Sequence, residues 1–275
     1  MNPINDPNKP VDYYLVQSEQ WTRIASEIIV ETPMSLTVNG EVLLSFMCTP
    51  VDQEALAVGF LYNEGMINSM EEIVSVRVCP AGDNVDVWLT HSVEKPSSWL
   101  RTSGCTGGFT SLANEPSPDP DPFGPPINGD RITYAQIQNL IEGLFESQDL
   151  YKKSGGVHSS ILSDGEKILA AAEDIGRHNT LDKISGKTIL EGISSDNHIL
   201  LSTGRISSEM LQKASRLGAT IVVSRTSPSS LSIENAHRLG ITLIGYARRN
   251  QFRVYTHPER ILEYDLNQKN KDQSP

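Results

Sequence analysis

The chain is poor in cysteine, with three among 275 residues. An odd number without regular spacing makes no disulfide framework and points to a reducing compartment. It lacks any run of about 18 apolar residues, so no membrane-spanning helix is expected. The opening Met1-Asn-Pro-Ile-Asn-Asp-Pro-Asn-Lys-Pro10 has no apolar core of a signal peptide. Together these absences predict a cytoplasmic protein without a membrane partner. Basic charge is also scarce: 23 Lys and Arg face 34 Asp and Glu, a net charge of −11. That balance disfavours binding along a phosphate backbone, so no nucleic-acid partner is expected. There is no C-x-x-C pair, and no H-x-E followed by P-C-x-x-C. A zinc site is therefore not expected, nor any metal held directly by the protein. Gly186-Lys187-Thr188 resembles the end of a P-loop, but Leu181 stands where the cradle needs glycine.

Among the cysteines, Cys105 stands apart. It sits in Arg101-Thr-Ser-Gly-Cys-Thr-Gly-Gly-Phe109, between glycines and small hydroxyl residues. Such a run exposes sulfur and can turn N–H groups toward a thiolate, which marks Cys105 as a nucleophile or sulfur carrier. Cys48 and Cys79 lie in the strand-like runs Val42–Cys48 and Ile73–Cys79, where free cysteine is a small core residue.

The pattern along the chain predicts a loose polar tail over residues 1–12 and then strands from Trp21 to Met47, with Asn39-Gly40 as a hairpin turn. Asp52 is placed to cap a helix through Leu56, Phe60 and Leu61 that stops near Gly65, followed by strands Ile73–Val78 and Val85–Leu89. Six prolines in the twelve residues Glu115–Pro126 interrupt any packed element. We therefore expect a strand-rich mixed domain over 1–112 ending in the cysteine loop, a proline-rich mobile linker over 113–130, and an α/β domain over 131–275. In the last, Thr133 and Gln136 form a capping box for an amphipathic helix. A hairpin about Ser163-Asp164-Gly165 then precedes strands and helices that alternate from His198 to Tyr246. That alternation predicts an α/β sandwich with partly parallel strands, whose ligands sit beyond the carboxyl ends of strands.

Those ends fall at Ser202–Arg205, Ser224–Pro228 and Gly245–Arg249, and four clusters dense in polar residues stand out: Ser154–His158, Glu173–Asn179 with Asp182-Lys183, Ser202–Glu209, and Gly245–Gln251. Their hydroxyls, glycines and arginines suit a polyanionic pocket. Equally, Glu173, Asp174, Arg177 and Lys183 could form a surface ion-pair network, and Ser207 or Ser208 a helix cap. His158 and His178 could be satisfied core histidines.

Several runs, in order from Glu31 to Arg260, resemble the FdhD/NarQ family of formate dehydrogenase accessory sulfurtransferases. They are Glu31–Gly40, Thr49-Pro50 with Leu56–Gly65, Gly155–His158, Glu173–Asn179 with Leu181–Lys183, Ser202–Met210, Gly245–Arg248 and Val254–Arg260. The resemblance implies a protein fed by a cysteine desulfurase that holds sulfur as a persulfide. It delivers that sulfur to the molybdenum or tungsten bis(molybdopterin guanine dinucleotide) cofactor of formate dehydrogenase. It also implies a homodimer and a core similar to the cytidine deaminase fold. Cys105 falls on the family's persulfide cysteine. The family's guanine dinucleotide contact falls on Tyr246, Ala247, Arg248, Arg249, Asn250 and Gln251, with His158, Arg177, His178 and Arg205 as further cofactor-binding residues. Many members carry C-x-x-C at the sulfur site, whereas this chain has Cys105-Thr-Gly-Gly108, so a resolving disulfide within the motif is excluded. Two other readings of the residues stay open: a Cys-His hydrolase or acyltransferase with His158 or His178 as base, and a non-catalytic cofactor chaperone.

Overall fold

A computed structural model of the protein describes residues 6–95, 99–101, 109–111, 131–194 and 198–264. For 99–101 and 109–111 it describes the strand pairing alone. Cys105 and the expected linker 113–130 lie outside the described residues.

The chain opens as a two-stranded ribbon. β1 (Asn8–Gln17) and β2 (Gln20–Ile29) pair antiparallel in continuous register from Asn8↔Ile29 to Gln17↔Gln20. This corrects the expectation of a loose tail to residue 12. Tyr13-Tyr-Leu-Val16 and Ile24 favour extended backbone, and Pro10 is tolerated because a ribbon strand has an open edge.

Next comes a four-stranded sheet of order β4-β3-β6-β5, built from β3 (Thr32–Val38), β4 (Glu41–Cys48), β5 (Ile73–Val78) and β6 (Asn84–Leu89). Asn39 and Gly40 turn the first hairpin with φ of 49° and 86°, the left-handed pair that a two-residue hairpin needs. Helix α1 (Gln53–Asn63) covers one face, burying Leu56, Phe60 and Leu61 against Met34, Leu36, Val85 and Val87. Asp52 stands at its N-cap but makes no capping bond; its carboxylate pairs with Lys187 at 2.8 Å instead. Cys48 is fully buried, and burial pushes its thiol up to about 12. Cys79, expected in the core, is only half-buried and donates to Asp83 Oδ1 at 2.9 Å.

The short strands β7 (Trp99–Arg101) and β8 (Phe109–Ser111) pair antiparallel, with the Cys105 run between them in sequence. Helix α2 (Tyr134–Glu146) starts on the expected capping box, Thr133 Oγ1 accepting from Gln136 N at 3.1 Å and Gln136 Oε1 from Thr133 N at 3.0 Å. A short helix α3 (Asp149–Ser154) follows. Then come β9 (His158–Ser163), β10 (Ile168–Asp174), α4 (Arg177–Glu191), β11 (His198–Ser202), α5 (Ser208–Arg216), β12 (Ala219–Ser224), α6 (Ser230–Arg238), β13 (Thr242–Arg248) and β14 (Gln251–Val254). The strands form one mixed sheet of order β10-β9-β11-β12-β13-β14, parallel from β11 to β13. α2 buries Ile137, Ile141 and Leu144 against Ile161, Leu201 and Val223 on one face. α4, α5 and α6 bury Leu181, Ile184, Met210, Leu211 and Ala236 against Leu162, Leu200, Val222 and Leu243 on the other. The result is a mixed three-layer α/β arrangement.

The two sheets are joined where α1 crosses α4. A Cβ on Gly59 would lie 1.7 Å from Asp182 O, and one on Gly186 would lie 1.9 Å from Ala55 O. The glycine of the P-loop-like run thus serves close backbone approach. Among the described residues no helix is long and apolar enough to cross a membrane.

Candidate functional site

One edge of the six-stranded sheet collects the polar clusters. β10, β11, β12 and β13 end there, and β9, running the other way, begins there, so His158 pairs with Asp174 across the β9–β10 ladder. Ser160, Thr180 and Ser202 hydroxyls interlock at 2.7 and 3.1 Å. Thr203 Oγ1 accepts from Ser159 N at 3.0 Å and lies 3.4 Å from His158 Nδ1. Gly204 lets the loop after β11 touch the buried Arg177, since a Cβ there would lie 2.9 Å from Arg177 Cβ.

α4 enters this edge by its N-terminus. Gly176 is the N-cap, with no side-chain capping bond, so the first-turn N–H groups and the positive end of the helix dipole favour an anion. Arg177 and His178 occupy the first turn, both buried. Among the described residues His178 Nε2 has no hydrogen-bond partner, and it stands 4.0 Å from Glu209 Oε2. Burial first, then Lys213, Arg177 and His158, press its imidazole down to about 2. His158 is lowered by burial and by Arg177, with Asp174 opposing. Two neutral imidazoles beside a buried guanidinium therefore form an electropositive spot in a chain of net charge −11. Burial penalises any charge; of the causes that hold the imidazoles neutral, only the cationic Arg177 and Lys213 also favour a bound anion.

The other half of the acidic cluster does different work. Lys183 pairs with Asp174 Oδ2 at 2.6 Å, and both side chains are fully buried; the expected surface network is an internal one. Asp174 also accepts from Thr49 N, Gly176 N and Asn179 Nδ2 at 2.8 to 3.1 Å. Lys213 donates to both oxygens of Asp182 at 2.6 and 2.7 Å, and Asn63 Nδ2 reaches Asp182 Oδ1 at 2.8 Å. Glu173 accepts from Leu150 N and Tyr151 N at the start of α3. These groups join elements and are satisfied within the protein. Ser207 caps α5, accepting from Met210 N at 3.5 Å.

The remaining expected residues lie farther along the same edge. Arg205, exposed, follows β11. Tyr246 to Gln251 bends from β13 into β14, three strand spacings from β9, or about 14 Å. Tyr246 has φ of 51° and donates its N–H to Thr226 O at 2.9 Å, a bulge where the ladder shifts register between Gly245 and Arg248. Arg253 stacks over its ring at 4.2 Å, a contact the sequence reading missed although Arg253 pairs with Gly245 across the β13–β14 ladder. Arg248, Asn250 and Gln251 are exposed, Arg249 pairs with Glu142 at 3.1 Å, and the Ala247 side chain is buried in the α2 core. The structure thus brings His158, Arg177 and His178 together, strings Arg205 and the β13–β14 bend along the edge, and says nothing of Cys105. Among the described residues no three His, Cys, Asp or Glu side chains are grouped to hold a metal.

Residues 29–262 match the sequence profile of the FdhD/NarQ family. The chain is 33% identical over 255 residues to the sulfur carrier protein FdhD of Bacillus subtilis (strain 168), covering 92% of this chain and 97% of that one. It is 35% identical to the protein of the same name from Bacillus pumilus (strain SAFR-032), covering 96% and 100%. A crystal structure from Desulfotalea psychrophila, described as that of a candidate formate dehydrogenase accessory protein, superposes with a TM-score of 0.77 at 31% identity. The superposition covers 94% of this chain and all of that one. The chain belongs to the FdhD/NarQ family.

Proposed function

We propose that the protein is a sulfur carrier that serves formate dehydrogenase. Cys105 takes sulfur from a cysteine desulfurase and delivers it to the molybdenum or tungsten bis(molybdopterin guanine dinucleotide) cofactor, which is cargo rather than a resident group. In the loading step the Cys105 thiolate attacks the outer sulfur of the donor's persulfide. One S–S bond forms as another breaks, the donor leaves as thiolate, and no outside oxidant is needed. With no cysteine at position 108, a single persulfide carries the load. In this reading residues 1–112 and 131–275 are two domains about a linker at 113–130, and the second is cytidine deaminase-like.

The observation that carries the proposal is the electropositive strand-end edge in an acidic family member. The N-terminus of α4, whose N-cap Gly176 offers no side-chain cap, the Arg177 guanidinium and His178 Nε2, unpartnered among the described residues, suit the phosphates of a guanine dinucleotide. Tyr246 and the exposed Arg248 offer a ring face and a further phosphate partner along the same edge. The hydrolase reading fares worse. A general base needs a pKa near the working pH, whereas His178 is pressed to about 2 and His158 is lowered as well.

Mass spectrometry after incubation with cysteine and a desulfurase tests the proposal. One added sulfur atom should appear on the Cys105 peptide and vanish in Cys105→Ala, with Cys48 and Cys79 unchanged. Sulfur on Cys79 instead, or on no cysteine, would refute it.

A further inference from the structure

The bend between β13 and β14 is rooted in tight packing at Gly245. A Cβ there would lie 2.9 Å from Tyr255 Cε2 and 3.0 Å from both Pro228 Cδ and Thr226 O. Across the ladder Gly245 pairs with Arg253, and directly opposite residues share one face of a sheet. Because the glycine offers no side chain, Arg253 leans over the next residue, its guanidinium carbon 4.2 Å from the centroid of the Tyr246 ring. Tyr246 is held at φ of 51° with its N–H on Thr226 O at 2.9 Å. That left-handed conformation is costly for a bulky aromatic residue, and such outliers collect at ligand sites.

Arg253 differs from other arginines of the chain in the partner it keeps. With 34 acidic residues against 23 basic ones, carboxylates are plentiful: Arg249 at the same bend takes Glu142 at 3.1 Å, and Arg23 takes Asp12. Arg253 is exposed, and among the described residues its guanidinium makes no ion pair and no hydrogen bond; its contact is the Tyr246 ring. A guanidinium held over a ring keeps the N–H groups on its rim free, in the planar fork that arginine presents to paired acceptors.

We infer, on the reading that Tyr246 covers the base of a guanine nucleotide, that Arg253 is the residue that selects the base. A base seated beside the guanidinium over the same ring turns one edge toward the fork. Guanine presents two acceptors on that edge, N7 and O6, and one arginine meets both; adenine presents N7 beside the N6 amino group, which sets donor against donor. Contacts to phosphate hold any nucleotide alike, whereas contacts to a base edge discriminate. Arg248 and the first turn of α4 therefore supply affinity, and Arg253, two residues beyond the Tyr246–Gln251 bend, supplies the preference for guanine.

Calorimetry with GDP, inosine diphosphate and ADP on the wild type and on Arg253→Ala tests the inference. Inosine diphosphate keeps O6 and N7 and lacks the 2-amino group, so the wild type should bind it and GDP within about threefold of each other, and ADP at least about tenfold more weakly. Arg253 is exposed, so the variant should keep its circular dichroism while its preference for GDP over ADP collapses toward one. A role in packing or overall charge would weaken both nucleotides together and leave their ratio unchanged, and that result would overturn the inference. So would a wild type that binds inosine diphosphate as weakly as ADP, the sign of a carboxylate such as Glu209 reading the 2-amino edge instead. A wild type that binds no guanine nucleotide would take the proposed site down as well, whereas a preserved ratio removes Arg253 alone.

Discussion

Helix α4 carries buried polar side chains at two places that differ in kind. Along its body, Asn179, Asp182, Lys183 and Ser185 meet Asp174, Lys213, Thr49 and Asn63, and the charges are matched at 2.6 to 2.7 Å. At its first turn, Arg177 and His178 lie beside His158, the N-cap Gly176 supplies no side-chain bond, and among the described residues His178 Nε2 has no partner. Buried polar groups are normally satisfied. The body of α4 obeys that rule and clamps two sheets together, while the first turn departs from it where a ligand would complete the set. A run of charged residues in sequence is therefore two sites in space.

The sharpest way to test the division is to break the clamp. Asp174→Ala leaves the fully buried Lys183 without its carboxylate, and loss of one partner of a buried pair costs about 3–5 kcal/mol. Denaturant unfolding should show that loss. Gly186→Ala comes next: its Cβ would press into Ala55 O at 1.9 Å, and overpacking of this kind costs about 1–3 kcal/mol. A melting temperature equal to wild type would mean that the α1–α4 crossing gives way easily.

The first turn should respond to pH instead. The unfolded chain protonates His178 near the ordinary 6.5, the folded protein only near 2. Between those values the unfolded state binds the extra proton, so stability is fully present above about 6.5 and falls as pH drops. The steepest slope from this one group is about 1.4 kcal/mol per pH unit. His178→Gln should flatten the acid limb of a pH series of melts; an unchanged limb would show that His178 is not held neutral.

Some of this was legible in the sequence and some was not. The Asn39-Gly40 turn and the Thr133–Gln136 box announced their elements because their chemistry is local. α4 left little trace: Arg-His-Asn-Thr-Leu-Asp-Lys-Ile-Ser-Gly-Lys-Thr offers only Leu181 and Ile184 as aliphatic residues, too few to mark the 3.6-residue apolar period of a helix. Its burial depends on partners from Thr49 to Lys213, which only the fold assembles. β1 was hidden behind Pro7 and Pro10. Gly245–Gln251 was expected at a carboxyl strand end, but the arrival of His158, which begins β9, on the same edge as Arg177 and His178, and the split between clamp and open site, needed the fold.

The claim that this edge binds the nucleotide end of the cargo is tested most directly by calorimetry with GDP on the wild type and on Arg248→Ala. The account predicts binding by the wild type and a ten- to hundredfold weaker affinity in the variant, the consequence of losing about 1.5–3 kcal/mol of charge-assisted contact. Equal affinity in the two proteins, or a wild type that binds adenine nucleotides and not GDP, would contradict it.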